Sequence, residues 1–171
     1  MITRHHQTGE TLSSAAYSTC ETYRYALTRT WNPSGKRLVY VMLNPSKATE
    51  QHNDPTVERC ERRARALQFG AFRVVNLFAL RETNPAIMRK SPHPIGPEND
   101  MALITGAKWA DMILCAWGVH GTHLHRNVEV TKHFLSTGKP LYTLGLSKAG
   151  HPKHPLYISY AQTPQPWEPV L

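Results

Sequence analysis

Four short apolar runs, separated by segments of helical period, dominate the chain. Leu38 to Leu43 is unbroken apolar and rich in β-branched and aromatic residues, the pattern of a strand buried on both faces of a parallel sheet. Phe72 to Phe78, Asp111 to Trp117 and Pro140 to Gly145 repeat that pattern. Between the first two, Asp54-Pro55-Thr56 supplies an N-cap acid and a first-turn proline for a helix over Val57 to Phe69, which Gly70 closes. Pro97-Glu98-Asn99-Asp100 opens a second helix through Met101, Ile104 and Trp109, and a third runs from about Arg126 to Thr137 before Gly138. This alternation, with right-handed crossovers, predicts an α/β protein: a three-layer αβα sandwich around a four-stranded parallel central sheet.

The flanks read differently. Residues 1–16 are polar and predict a loosely docked arm, and Gln162 to Leu171 is proline-rich, without periodicity, and predicts a tail. Tyr23 to Arg29 alternates in size, which predicts an edge strand pairing back on the Leu38 run. Ala79 to Pro97 holds four prolines and predicts a long surface loop with one helical turn. Residues 1–171 therefore read as a single domain with its core over about 23–158.

Composition narrows the function classes. No apolar run approaches the roughly 18 residues of a membrane span, and Met1 to Glu10 has no apolar signal core. The three cysteines are odd in number and lack Cys-x-x-Cys spacing, so they read as free thiols in a reducing compartment; a soluble cytoplasmic protein is expected. A net charge of +8 and a pI of 9.6 favour nucleic acid or an anionic small ligand as partner. Arg59, Arg62, Arg63 and Arg65 crowd one helix, where a solvated basic face is the commoner explanation and a phosphate-tracking stripe the sharper one.

Candidate chemistry falls at the strand ends. Asn44-Pro45-Ser46, Asn76, Trp117-Gly118-Val119-His120 and His151-Pro152 all sit at or just past the carboxyl ends of the four runs. A parallel sheet gathers those ends on one edge, where α/β proteins bind ligands. Asn53 and Asp54 lie on the loop that leaves the first run. Asn76 interrupts an otherwise apolar strand, and a buried unpaired amide costs about 1–3 kcal/mol, so it must bond a neighbouring loop or a ligand. Walker and Gly-x-Gly-x-x-Gly loops are absent, and Ser46 lacks a Gly-x-Ser-x-Gly elbow. The histidines His120, His123 and His125 have no strand-borne acid or cysteine to complete a metal set, so neither a metal nor a cofactor is expected.

Val41 to Ser46 with Asp54-Pro55-Thr56, Val75-Asn76-Leu77-Phe78, Gly96 to Asp100, Ala116-Trp117-Gly118 and Gly150 to Tyr157 resemble the bacterial and phage family called domain of unknown function 1643, over about Tyr23 to Tyr157. More remotely, the order of motifs is similar to the uracil-DNA glycosylase superfamily, which implies that fold. Leu43 and Ser46 flank Asn44-Pro45 where that superfamily has glycines, and Lys153-His154 lengthens its terminal His-Pro motif by one residue. The resemblance implies that Asn44 positions water, that Asn76 reads the edge of an extruded base, and that Phe78 or Trp117 stacks on it. It also implies that His151 donates to the base carbonyl as charge develops, with Asp54 the nearby carboxylate able to act as general base. Pro45, Ser46, Asn53, Gly118, His120 and His154 would line the substrate. The expected function is nucleobase recognition with glycosylase-like N-glycosidic hydrolysis on nucleic acid or nucleotide. The alternatives are a non-catalytic nucleic-acid-binding module and a small-molecule hydrolase for an anionic substrate. The geometric core of this reading is that Asn44, Asn76, Trp117 and His151 share one pocket.

Overall fold

Strand propensity and hydrophobic pattern build a mixed, eight-stranded sheet flanked by four helices. The computed structural model describes residues 1–171. The strands are β1 (Ile2–Thr8), β2 (Thr11–Tyr17), β3 (Arg24–Thr30), β4 (Arg37–Met42), β5 (Ala71–Asn76), β6 (Met112–Cys115), β7 (Leu141–Thr143) and β8 (Gln165–Trp167). The helices are α1 (Pro55–Ala66), α2 (Pro85–Lys90), α3 (Asn99–Trp109) and α4 (Arg126–Leu135). The strand order across the sheet is β1-β2-β3-β5-β4-β6-β7-β8.

The parallel sheet expected from the sequence is only the middle of this larger one. Parallel pairing joins β4 to β5, β4 to β6 and β6 to β7, whereas β1, β2, β3 and β8 add on antiparallel. Side chains alternate along β4 into two cores: Leu38, Tyr40 and Met42 face α1 with Val57, Cys60 and Ala64, while Val39 and Val41 face α3 and α4 with Leu103, Ala107, Val130 and Phe134. The chain leaves β4 toward the α1 face and leaves β6 toward the other. The crevice between those two strand ends is therefore a topological switch point.

Several expectations are corrected. The N-terminal arm is a β-hairpin, paired from Ile2↔Tyr17 to Thr8↔Thr11 around a turn in which Gly9 takes φ +58°. Most of β1 is solvent-exposed, so it carries no apolar alternation to betray it. The Tyr23 to Arg29 strand is not an edge and does not pair with β4; it lies between β2 and β5. The C-terminal tail contributes β8, an edge strand in which Pro166 opposite Tyr142 is tolerated because one side of the strand needs no partner.

Gly70 is not the helix terminator either. Gln68 takes the left-handed conformation at φ +63° after α1, and the Phe69 N–H returns to Ala64 O at 3.0 Å. Gly70 answers a different need, since a Cβ there would lie 2.1 Å from Asn32 O. The arginines of α1 divide into two that are tied to the C-terminal segment and two, Arg62 and Arg65, that stay on a solvated face in pairs with acids of the same helix. Arg63 donates to the carbonyls of Ile158, Ser159 and Gln162, and Arg59 to Ile158 O at 2.6 Å, with Arg59 lying over the Tyr160 ring. Arg62 pairs with Glu58, and Arg65 pairs with Glu61 beneath Trp31. No helix is long and apolar enough to cross a membrane.

Candidate functional site

The carboxyl ends of β4, β5 and β6 open into a cavity of about 600 Å³, within the usual size for a small-molecule site. Its floor holds Asn76, which follows Val74 by the two-residue period of a strand and so faces the α1 side of the sheet. Asn76 is 1% exposed, and neither Nδ2 nor Oδ1 of its side chain has a hydrogen-bond partner. Its backbone, by contrast, is held firmly, with Asn99 Nδ2 bonding Asn76 O at 2.9 Å and Leu77 O at 3.0 Å. The result is a rigidly placed amide with an unused donor and an unused acceptor.

Asn44 and Asp54 come from the loop that leaves β4. Asn44 Nδ2 donates to Glu82 O at 2.6 Å and to Pro45 O at 3.2 Å, so this amide nitrogen fastens two loops together and only Oδ1 is left for a ligand. Ser46 Oγ bonds Thr83 Oγ1 at 3.1 Å across the same seam. Asp54 caps α1, its Oδ1 accepting from Val57 N at 2.9 Å and its Oδ2 from Ala48 N at 3.3 Å. Both carboxylate oxygens are thereby engaged.

Trp117 and Gly118, just past β6, form the opposite wall. Gly118 sits at φ 73°, ψ −169°, a region open essentially to glycine alone. Trp117 is 2% exposed and packs edge-on against Trp167. Gly121 makes room for it, because a Cβ at Gly121 would fall 2.3 Å from Trp117 Cδ1. His120 and His154 complete this side. Burial holds the His154 imidazole below its ordinary pKa, opposed by the charge of Asp54, and burial with the nearby Arg89 charge does the same to His120. His154 Nδ1 accepts from Leu156 N at 3.3 Å, so its neutral form carries the proton on Nε2.

Not every expected residue reaches this cavity. Asn44, Ser46, Asp54, Asn76, Trp117, Gly118, His120 and His154 line it. His151 lies instead on a second cavity, of about 340 Å³, with Asn127, Thr131 and the C-terminal residues, and Trp117 separates the two. Phe78 is fully buried against His123, at 5.5 Å between ring centres, and points into the core. Pro45 is buried with its carbonyl accepting from Glu82 N at 2.9 Å. Asn53 bonds Glu58, Glu61 and Arg29, a structural knot beside α1.

Among the lining residues that were not foreseen, the buried cation is the most unexpected. Arg24, at the start of β3, is 2% exposed and lines the cavity near Asp54. Its position between Tyr23 and Tyr25 in an alternating strand was the available signal. For metals, His120, His123 and His125 form no converging group. Asp100, Glu129 and His133 do lie close together, but Arg126 ion-pairs with both acids.

The fold and site thus define an α/β protein with a ligand-sized cavity at the switch point of its sheet and an unsatisfied amide on the cavity floor. The chain belongs to the family described as protein of unknown function DUF1643, whose model matches residues 24–156. No curated protein and no solved structure matches it.

Proposed function

We propose that the cavity recognises a nucleobase, with glycosylase-like hydrolysis of its N-glycosidic bond as the specific reaction. The observation that carries this reading is the Asn76 side chain, whose buried donor and acceptor have no protein partner. A carboxamide offering one donor beside one acceptor complements the paired groups on the edge of a pyrimidine or purine. The uncharged Trp117 ring lines the same space and offers an aromatic surface. The order of strand-end motifs, similar to that of the uracil-DNA glycosylase superfamily, points the same way.

In this mechanism the departing base gathers negative charge while the sugar becomes oxocarbenium-like, and a neutral donor at the base carbonyl lowers the barrier. His154 takes that role in place of His151, since its neutral form carries the free proton on Nε2 and it lines the cavity. Asn44 would orient water through Oδ1, its nitrogen being committed to Glu82 O.

One observation favours a second reading, capture of a base without cleavage. Both oxygens of Asp54 already accept backbone N–H groups, which leaves it poorly disposed as a general base. Abasic-site formation on a panel of modified and mismatched oligonucleotides separates the two readings. The hydrolase reading expects product that disappears in Asn76→Ala and His154→Ala. Binding without product, lost in Asn76→Ala, establishes capture. Neither binding nor product on any nucleic acid, nucleoside or nucleotide removes the nucleobase from the cavity.

A further inference from the structure

We infer that Arg24 is an oxyanion-recognising group on the floor of this cavity, so that the ligand read by Asn76 carries a phosphate or a carboxylate. This rests on the nucleobase reading and narrows it to an anionic member of that class.

Arg24 is an unusual residue to bury. Taking a guanidinium out of water is costly unless its donors are met, and buried arginines normally sit in ion pairs. No ion pair in the structure includes Arg24. The one hydrogen bond of its guanidinium runs from Nη1 to Ala48 O at 2.6 Å, and its buried Nε has no partner. Burial pulls its pKa down to about 10, with the Asp54 charge opposing that fall, so it remains a cation at neutral pH.

The contrast with other buried arginines is informative. Arg63 fills its fork with the carbonyls of Ile158, Ser159 and Gln162, and Arg126 bonds Leu77 O, Glu129 and Asp100. Those two have structural duties that use both terminal nitrogens of the fork, although the Arg63 Nε, like that of Arg24, has no partner. Arg24 lines a ligand-sized cavity with most of its fork unused, and a planar fork of donors matches a phosphate or carboxylate.

The cavity is not generally positive. Arg24 and Lys47 are balanced by Asp54 and Glu82 among the lining residues. Asp54 directs its two oxygens at backbone N–H groups, and Glu82 Oε1 accepts from Asn84 N at 3.0 Å. Selection of an oxyanion therefore comes from direct contact with Arg24 and not from a long-range field. Such a contact resists salt, unlike the phosphate contacts of an open nucleic-acid surface.

Calorimetric titration tests this with nucleosides, their 5′-monophosphates, uracil-6-carboxylate and inorganic phosphate as probes, on wild type, Arg24→Gln and Arg24→Lys. The anionic member of a pair should bind wild type about tenfold to a hundredfold more tightly than its neutral counterpart, the worth of a charge-assisted hydrogen bond. That preference should vanish in Arg24→Gln and survive in part in Arg24→Lys. Preference for the monophosphate identifies a phosphate as the oxyanion, and preference for the base carboxylate identifies a modified base. Equal binding of neutral and anionic probes to wild type overturns the inference, whatever the variants do, and leaves the nucleobase reading standing. The inference also falls if Arg24→Gln folds and keeps the full preference. Absence of binding by every probe, neutral and anionic, overturns both.

Discussion

Asn76, at the end of β5, and Asn99, the first residue of α3, are both asparagines buried to 1% exposure or less, joined by a hydrogen bond from the Asn99 side chain to the Asn76 carbonyl, and substitution by leucine should move stability in opposite directions. The Asn76 side chain offers Nδ2 and Oδ1 to no protein group, so the folded state carries the unmade hydrogen bonds of a dry amide, about 1–3 kcal/mol. Leucine has the same number of side-chain heavy atoms, the same branch at Cγ and no polar atom, so Asn76→Leu recovers much of that cost, less some strain from its greater bulk, for which the adjoining cavity leaves room. The expected net gain is about 1–2 kcal/mol, or roughly 2 to 8 °C in Tm for a chain of this size. Asn99→Leu instead strips hydrogen bonds of 2.9 and 3.0 Å from the carbonyls of Asn76 and Leu77, a loss only partly offset by removing its own unpartnered Oδ1, and should cost about 1–3 kcal/mol. Urea unfolding followed by circular dichroism, with thermal melts in parallel, measures both. Asn76→Leu should also abolish ligand binding while melting later, the trade expected where a site holds a group the fold would rather not have. Should Asn76→Leu lose more than about 1 kcal/mol, the amide is bonded inside the protein and its reading as a ligand contact is refuted.

Three further outcomes follow from the geometry. Gly121→Ala places a Cβ against Trp117 and should destabilise the fold by about 1–3 kcal/mol while shifting tryptophan fluorescence and weakening ligand binding; unchanged fluorescence and binding would show that the ring is not positioned by this contact. His154 has its pKa lowered from 6.5 by burial, so the unfolded chain binds a proton more readily than the folded one as pH drops. Its contribution to stability is complete above pH 6.5 and is lost as pH falls toward the lower folded value, and His154→Gln should flatten that part of the urea-stability profile between pH 5 and 7. Arg63→Lys keeps the charge but cannot reproduce the fork that holds the carbonyls of Ile158, Ser159 and Gln162, so hydrogen exchange over 158–165 should quicken, with about 1–3 kcal/mol lost. Full protection in Arg63→Lys would show that the segment is held by something other than this side chain.

What could be read from the sequence was whatever leaves a periodic or capping signature. The Leu38 run became β4 because it is buried on both faces and therefore uniformly apolar, and Asp54-Pro55 marked the start of α1 because the cap chemistry is local. β1 and β8 left no such trace, the first because its faces are mostly wet and the second because it is short and contains Pro166. Asn76 was legible as a polar break in a dry strand, and Asn44 and Trp117 as strand-end residues. The choice between His151 and His154 was not legible. The two are separated by three positions on one loop, and their directions depend on backbone contacts such as Gly118 N to Pro152 O at 2.8 Å. Arg24 escaped because charged residues are so rarely buried that sequence reading assigns them to the surface.

The boundaries of the family match bear on how the cavity is built. The matched segment, residues 24–156, runs from Arg24 to Leu156, and both of these residues line the cavity, as does nothing outside that range. The hairpin of β1 and β2 and the edge strand β8 fall outside it. Their contribution is indirect: β2 pairs along β3 and stops it from being an open edge, and the Tyr17 hydroxyl bonds Glu50 at 2.8 Å, bracing the loop whose Ala48 carbonyl holds Arg24. The parallel strands alone would present Asn76, Asn44 and Trp117. It is the antiparallel addition of β3 that brings a buried cation, Arg24, to the same cavity, so the only buried charge in its lining comes from a strand that the βα alternation does not require.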